Sequence, residues 1–253
     1  MASRFELKYL IPESTALKVR EFIQQHLQLD EFGHGKPNFS YPVHSLYLDS
    51  DDYELHRRTV NGDKNRYKLR VRYYNENPAT PVFFEIKKRM KDIILKERGT
   101  VRRAAVQKIL SGFLPDDSEM KVNSPEERQA ILRFIQLMAD VNAKPKMHVA
   151  YEREAYVNNF NNEVRVTLDR NVRGMFRPSG ELLTDMPDAV LCTRDIVILE
   201  LKFTGRFPSW YGDLVRYFNC TQTGAAKYLE TVALYRARKT GQHPRDVIRG
   251  MVW

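Results

Sequence analysis

Residues 65–74, NRYKLRVRYY, alternate strictly between cationic and apolar side chains. Lys68, Arg70 and Arg72 occupy every second position, and the residues between them are leucine and valine. Because side chains in a β-strand alternate between its two faces, this segment predicts a strand with three cations on one face. Like charges two residues apart repel each other, so this face is expected to meet an anionic partner.

The whole chain is basic, which also indicates anionic partners. Its 253 residues include 41 Lys and Arg against 32 Asp and Glu, a formal net charge of +9. Nucleic acid, a membrane surface and phosphorylated small molecules all remain compatible with that charge. No apolar run approaches the roughly 20 residues that span a bilayer, and the first residues lack the apolar core of a signal peptide.

We expect a cytoplasmic protein with no membrane segment of its own. The two cysteines, Cys192 and Cys220, form neither a metal-binding spacing nor a disulfide framework, which is typical of a reducing compartment. No linker, short repeat or low-complexity segment divides the chain, so a single domain is predicted over residues 1–253. The oligomeric state stays open.

The alternation of the opening stretch recurs in five further segments that are predicted as strands. These are residues 4–9, 83–89, 150–156, 163–170 and 197–203. Their charged faces, together with the opening stretch, carry eight cations and four carboxylates: Lys8, Lys68, Arg70, Arg72, Lys87, Arg153, Arg165 and Lys202, with Glu6, Glu85, Asp169 and Glu200. The polar positions are therefore dominated by lysine and arginine.

Helices are predicted over residues 13–29, 103–113, 124–141 and 223–239. Ser124 is the expected N-cap of the third, with Glu127 completing a capping box, and Thr223 is the expected cap of the fourth. An antiparallel sheet with one face exposed to solvent would explain the alternation in any single strand. The helices need an apolar surface to cover, however. If they cover the outside of the sheet, the charged faces point inward.

An α+β fold with a barrel of about eight strands follows from this arrangement. Such a barrel has a lumen wide enough for side chains or one small ligand. Unpaired charges inside it are costly, so a lumen lined by cations is expected to bind a polyanion. Arginine suits phosphate oxygens through its two-pronged guanidinium, and carboxylates on the same faces suit a divalent cation that bridges phosphates.

These segments resemble the triphosphate tunnel metalloenzymes (the CYTH-like superfamily), and most closely the VTC domain of polyphosphate polymerases. The matching pieces fall in family order from residue 4 to about 230: RFELKYLI, SLYLDSDDYELHRR, YKLRVRYY, FFEIKKR, ILKERGTVR, YEREAY, VRVTLDRN, VILELKF and AAKYLE. The resemblance implies an eight-stranded antiparallel β-barrel tunnel with flanking helices. It also implies a bound nucleoside triphosphate and a divalent metal, Mn²⁺ or Mg²⁺.

The resemblance also implies roles for individual residues. The expected catalytic cations are Arg70, Arg72, Arg153, Arg165 and Lys87. The expected substrate-binding residues are Lys8, Lys68, Lys96, Tyr151, Lys202 and Lys227, of which Lys68 and Lys202 are assigned by strand alternation alone. Glu200 matches the metal-binding glutamate of the family, and Glu6 and Asp169 are further candidates for the metal or its waters.

Several of these residues have a purely structural alternative. Lys227 lies on a predicted helix and would then be solvated. Lys96 would protect a strand edge. Asp169 would pair with Arg170 or Arg165, and Tyr151 would be a packed aromatic residue.

The expected activity is that of a polyphosphate kinase or polymerase, which transfers the γ-phosphate of ATP to inorganic polyphosphate. Hydrolytic tunnel enzymes begin with the motif ExExK, whereas Arg4 replaces the first glutamate here. That difference disfavours the alternative of a triphosphatase acting on inorganic triphosphate or nucleotides. The match is to the tunnel domain alone, so we expect a stand-alone, prokaryotic form.

A binding module without catalysis is the other alternative, for polyphosphate or for nucleic acid. A nucleic-acid partner is disfavoured because Tyr67 and Tyr73 lie on the face opposite the cations, where they cannot stack bases beside them. The expected partners are therefore ATP and inorganic polyphosphate.

Overall fold

The computed structural model describes residues 4–91, 93–158 and 163–241. Its strands are β1 Arg4–Pro12, β2 Gln28–Leu29, β3 Ser40–Asp49, β4 Asn65–Tyr73, β5 Val82–Met90, β6 Ile93–Val101, β7 Lys144–Val157, β8 Val164–Phe176, β9 Val190–Leu191 and β10 Ile196–Thr204. Its α-helices are α1 Glu13–Ile23, α2 Glu54–Val60, α3 Val106–Leu110, α4 Pro125–Asp140, α5 Ser209–Tyr217 and α6 Lys227–Thr240. Short 3₁₀ turns lie at Glu31–Gly33, Pro37–Phe39, Arg103–Ala105 and Asp117–Glu119.

The sheet is the predicted eight-stranded antiparallel tunnel. Its main strands follow the order β1-β10-β8-β7-β3-β4-β5-β6, and the short strands β2 and β9 pair with β7 and β8. The two end strands, β1 and β6, approach each other. Across this seam the Lys87 ammonium on β5 lies 3.0 Å from Glu6 on β1. In the described residues no hydrogen-bonded ladder joins β1 to β6. Side chains therefore complete the tunnel wall at this seam.

The apolar faces of the strands point outward, under the helices. On one side Leu69, Phe84 and Ile86 pack beneath α4, where the ring of Phe134 meets Phe84 edge-on at 5.0 Å. Burial of each such side chain contributes about 1.5–3 kcal/mol. A second cluster lies under α1 and α5. Because the outer face is taken up by this packing, the charged faces point into the tunnel, as the alternation predicts.

Helix α6 lies across one end of the tunnel. Tyr228 and Val232 on α6 belong to an apolar cluster with Tyr47, Met147 and other inward-facing residues of the strands. The rings of Tyr47 and Tyr228 stack with centroids 4.7 Å apart. This end of the tunnel is therefore filled by packed side chains, and the polar part of the lumen begins beyond it.

Three predicted helices have different bounds in the structure, and the one predicted over 103–113 is helical only as the 3₁₀ turn at Arg103–Ala105 and α3 at Val106–Leu110. Helix α1 ends at Ile23 and not at residue 29, because Gln28 and Leu29 pair with β7. Helix α6 begins at Lys227, not near Thr223. The Thr223 amide donates instead to the Lys8 carbonyl oxygen on β1, at 2.9 Å. In both places pairing with a neighbouring strand competes successfully with local helix formation.

The predicted capping box of α4 is half correct. The Ser124 hydroxyl accepts a hydrogen bond from the Glu127 amide at 3.2 Å, as expected. The Glu127 carboxylate does not return to Ser124 but accepts from the amide and hydroxyl of Thr100 on β6, at 2.5 and 3.1 Å. It therefore ties the helix to the sheet. Helices α2 and α5 were not predicted from the sequence.

The segment NNFNNE, residues 158–163, predicts a hairpin turn between β7 and β8, but its residues 159–162 lie outside the described residues. No helix in the part of the chain that the structure describes combines the length and apolarity needed to cross a bilayer. A single domain over residues 1–253 stays a prediction.

The close packing of α6 on β8 can be tested by adding a side-chain atom at the contact. A Cβ atom at Gly174 would lie 1.8 Å from the Cγ2 atom of Thr231 on α6. We expect Gly174→Ala to lower the free energy of unfolding by about 1–3 kcal/mol, because the helix must shift to relieve the overlap. Urea unfolding followed by circular dichroism measures this change.

Thr231→Ser removes the Cγ2 methyl and keeps the hydroxyl, so it is expected to restore part of the stability that Gly174→Ala loses. Gly212→Ala is the matched control, because its Cβ would meet only Phe207 at 3.7 Å. Equal effects of Gly174→Ala and Gly212→Ala would contradict the proposed packing of α6.

Candidate functional site

The inward-facing charges form groups around a few buried carboxylates. Glu200 on β10 accepts from Lys202 at 2.5 Å, from Lys227 at 2.9 Å and from Arg153 at 3.3 Å. Asp169 on β8 accepts two hydrogen bonds from the Arg153 guanidinium, both at 2.7 Å. Burial alone would raise the pKa of Glu200, but Lys202, Lys227 and their neighbours hold it well below its usual value.

Lys227 is placed in this group by helix α6. Its ammonium lies 2.6 Å from Asp169 and 4.7 Å from the ring centre of Tyr151. Burial alone would lower the pKa of Lys227, but Asp169 and Glu200 raise it above the ordinary lysine value. The alternative of a solvated Lys227 is therefore wrong, because the helix begins with this residue turned toward the strands.

A second group surrounds Glu85 on β5. Its carboxylate accepts from Arg70 at 2.8 Å and from Arg98 at 2.6 Å, and it pairs with Lys96 at 2.7 Å. Burial raises the pKa of Glu85, but Arg70 and the other cations around it lower it well below the ordinary value. Arg72 lies farther away, at 3.8 Å. Lys96 therefore faces the tunnel and forms part of its ion-pair network.

Sequence reasoning missed one member of this group and the role of another. Arg98 was not singled out, although it shares the face of Lys96 two residues earlier on β6. Glu85 was counted as an inward carboxylate without a role. The structure makes Glu85 the shared counter-ion of several guanidinium groups, a property that depends on the register Arg70–Glu85–Arg98 across three strands.

The seam of the tunnel carries a third group. Lys8 on β1 lies 3.2 Å from Glu6 and 3.3 Å from Glu200, and it donates to the Ala225 carbonyl oxygen at 3.0 Å. Glu6 also pairs with Lys87 across the seam. Lys8 therefore links the two carboxylates that the sequence assigned to a metal.

Lys68 has no ion-pair partner among the described residues. Its neighbour in the ladder is another cation, Lys87 on β5. Burial, followed by the like charges of Lys8 and Lys87, lowers the pKa of Lys68 to about 7. Burial likewise lowers the pKa of Lys96 and of Lys202 to about 7. The tunnel therefore holds more positive charge than its own carboxylates neutralise.

Two predicted residues have partners that the sequence did not indicate. Arg165 donates to Asp30 at 2.9 Å and to the Tyr41 hydroxyl at 3.4 Å, so it is not part of the Glu200 group. Tyr151 is buried, and its hydroxyl accepts from Arg72 at 3.3 Å while its ring lies 5.0 Å from the Arg153 guanidinium. Tyr151 is thus both packed and in contact with the cations.

The candidate metal ligands differ in how they fit a cation. No group of three or more possible ligands occurs among the described residues. Asp169 is an ion-pair partner of Arg153 and Lys227. The partners expected in the structural alternative, Arg170 and Arg165, pair instead with Glu154 and Asp30. Glu6 and Glu200 provide hard oxygen donors on adjacent strands, and Mg²⁺ is commonly held by one or two carboxylates together with substrate phosphates. The side chain of Arg4 lies outside what the structure describes, so the inference drawn from it stays a prediction.

Comparison with known proteins places this architecture among described families. The model of the VTC domain family matches residues 3–236. Subunit 2 of the vacuolar transporter chaperone complex of Schizosaccharomyces pombe is 24% identical over 186 residues, which is 67% of this chain and 25% of the relative. Subunit 4 of the same complex is 23% identical over 247 residues, or 82% of this chain and 34% of the relative. The chain thus spans about a quarter to a third of these relatives.

A solved structure from Bacillus halodurans, named for a proposed adenylate cyclase activity, is also similar. It is 13% identical, with a TM-score of 0.49, and the match covers 89% of this chain and 94% of that one. Similarity at this level says nothing of activity.

The unneutralised charge predicts a specific dependence of stability on pH. The pKa of Lys68 in the folded protein is about 7, below the ordinary lysine value of 10.5. Between these values the unfolded chain binds more protons, so the free energy of unfolding rises as pH increases from 7 to about 10. Lys68→Met is expected to stabilise the protein at pH 7 in low-salt buffer without phosphate and to reduce this slope.

Thermal unfolding at several pH values measures both effects. Lys121→Met, at an exposed lysine, is the matched control and should leave the slope as in the unaltered protein. A slope that Lys68→Met does not change would contradict the inference that Lys68 carries an unfavourable charge.

Proposed function

The chain belongs to the VTC domain family, and from that premise we propose that it is a polyphosphate polymerase. It transfers the γ-phosphate of ATP to the end of an inorganic polyphosphate chain inside the tunnel. The observation that carries this proposal is the positive charge left over in the lumen, above all at Lys68, which is paired in the ladder with Lys87 and has no ion-pair partner in the part of the chain that the structure describes. A closed wall of lysine and arginine is complementary to a linear row of phosphates.

The inward cations supply the charge stabilisation that phosphoryl transfer requires, since this reaction depends mostly on positioning and electrostatics. Arg70, Arg72 and Arg153 are oriented in advance by carboxylates or by Tyr151, so they need little reorganisation when phosphate oxygens arrive. Their guanidinium groups would bind and orient the triphosphate and stabilise charge on the transferred phosphoryl group. The acceptor is itself an anionic phosphate, so no strong general base is required.

Lys8, Lys68, Lys87, Lys96, Lys202 and Lys227 would bind the rest of the phosphate chain. Lys68, Lys96 and Lys202, whose pKa values lie near 7, become fully protonated when a polyanion enters, because its negative charge offsets the repulsion from neighbouring cations and raises their pKa. Binding of substrate is therefore expected to be accompanied by proton uptake.

The divalent cation, Mn²⁺ or Mg²⁺, would be held by Glu200 and Glu6 together with phosphate oxygens. When bound, it supplies further neutralisation of the phosphate charge. In this proposal Asp169 does not bind the divalent cation. It accepts two hydrogen bonds from the Arg153 guanidinium and holds that group in place.

Incubation of the purified protein with ATP and Mn²⁺ tests the proposal. We expect a ladder of long chains on a gel stained for polyphosphate. Glu200→Ala and Arg72→Ala are each expected to lower the rate at least about 100-fold, since the first removes a ligand of the divalent cation and the second a positive charge that acts on the transferred group. Exposed Glu21→Ala and Arg216→Ala are the matched controls and should retain full activity.

A parallel assay of free phosphate separates the alternatives. Free phosphate without chains would mean a tunnel triphosphatase. Neither product, together with tight binding of polyphosphate or RNA, would mean a binding module and would overturn the polymerase.

A further inference from the structure

We infer that a row of aromatic residues at the open end of the tunnel is the stacking site for the base of a nucleoside triphosphate. The inference rests on the proposed function and adds to it a subsite for the part of the donor that is not phosphate. It assigns a role to Phe32, Tyr41, Tyr74 and Phe83, which the phosphate-binding network does not use apart from the Tyr41 hydroxyl.

The four rings form a continuous row. Centroid distances are 5.8 Å between Phe32 and Tyr41, 6.3 Å between Tyr41 and Tyr74, and 6.0 Å between Tyr74 and Phe83. At the end of the row the Arg98 guanidinium lies over the Phe83 ring, 4.5 Å from its centre. The row therefore joins the loop before β3 to strands β3, β4 and β5 and ends at a cation of the Glu85 group.

The register of the sheet places this row on the tunnel face. Tyr41 on β3 is paired with Arg153 on β7, and Phe83 on β5 is paired with Arg72 on β4. Both arginines face the lumen, so their cross-strand neighbours do as well. Tyr41 lies six residues along β3 from Tyr47, the residue that stacks on α6. The row is thus at the end of the tunnel that α6 does not fill.

Core packing accounts for Tyr41, which is buried in the cluster that includes Tyr228, and in part for Tyr74, which packs against that cluster, but not for Phe32 and Phe83 at the two ends of the row. Phe32 is 62% exposed, and Tyr74 and Phe83 are half-buried. Phe32 and Phe83 lie outside the three hydrophobic clusters of the described residues. Aromatic rings held partly open beside a strongly basic surface are the combination by which proteins stack nucleobases while binding the adjoining phosphates.

The position of Arg72 beside the aromatic rings also suits a nucleotide. Arg72 on β4 is the ladder neighbour of Phe83, and Tyr74 lies two residues after Arg72, just past the end of the strand. A triphosphate bound to Arg70 and Arg72 therefore directs its nucleoside toward these rings, since α6 fills the opposite end. Arg98 adds a cation–π contact at the edge of this surface. Inorganic polyphosphate has no aromatic face, so the row would distinguish the donor nucleotide from the acceptor chain.

Stacking without hydrogen bonds to the base edges tolerates any base. We therefore expect purine and pyrimidine nucleotides to bind in the order of their stacking strength, with purines the tighter.

Calorimetric titration with a non-hydrolysable ATP analogue and with inorganic tripolyphosphate, each with Mn²⁺, tests the inference. Phe83→Leu keeps most of the apolar volume and removes the ring. It is expected to weaken binding of the ATP analogue by about 5- to 100-fold, and to leave tripolyphosphate binding unchanged. Phe83→Tyr keeps the ring and should retain the affinity of the unaltered protein. Exposed Phe113→Leu is the matched control.

Retained tripolyphosphate binding also shows that each variant is folded. Equal weakening of both ligands, or of neither, would overturn the base-stacking site and leave the proposed function standing. If the unaltered protein binds neither ligand, the proposed function fails and the inference fails with it.

Discussion

Repulsion between like charges on the inner face of the sheet is the constraint on which the rest of the structure depends. Lys68 and Lys87 are ladder neighbours, and so are Lys202 and Arg165. A closed tunnel brings such pairs closer to one another and to the opposite wall. The fold accommodates them by burying a few carboxylates among many cations, with Glu85 and Glu200 each shared by several partners. Removing one partner of such a buried group is costly, which gives these carboxylates a structural role.

The apolar packing outside the tunnel supplies the stability that this inner surface lacks. Strands β4 and β5 bury their outer faces under α4, and a separate cluster lies under α1 and α5. Helix α6 connects the two kinds of surface. Its Tyr228 packs at one end of the tunnel, while its first residue, Lys227, contacts both Asp169 and Glu200. Packing of one helix therefore determines where a cation of the tunnel lies.

The alternating pattern predicted the strands and their inward faces well, because the two-residue period of a strand is strong when one face is charged and the other apolar. Local signals at helix ends were less reliable. The cap expected at Thr223 and the full capping box at Ser124 both failed because a neighbouring strand offered the same polar groups a different partner. Arg98 was overlooked although the same period marks it, and the short helices α2 and α5 were not predicted.

By itself, the sequence determined which side chains share a face of each strand, the excess of cations on those faces, and the resemblance to a tunnel family. Only the tertiary structure decided which charges are neutralised. Lys68 and Arg70 are equivalent in the strand pattern, yet Arg70 meets Glu85 and Lys68 meets Lys87. Likewise Arg165 is bound to Asp30 and not to Glu200. The reason is that strand alternation is a property of one segment, whereas the partner of a charge depends on register between strands and on closure of the sheet.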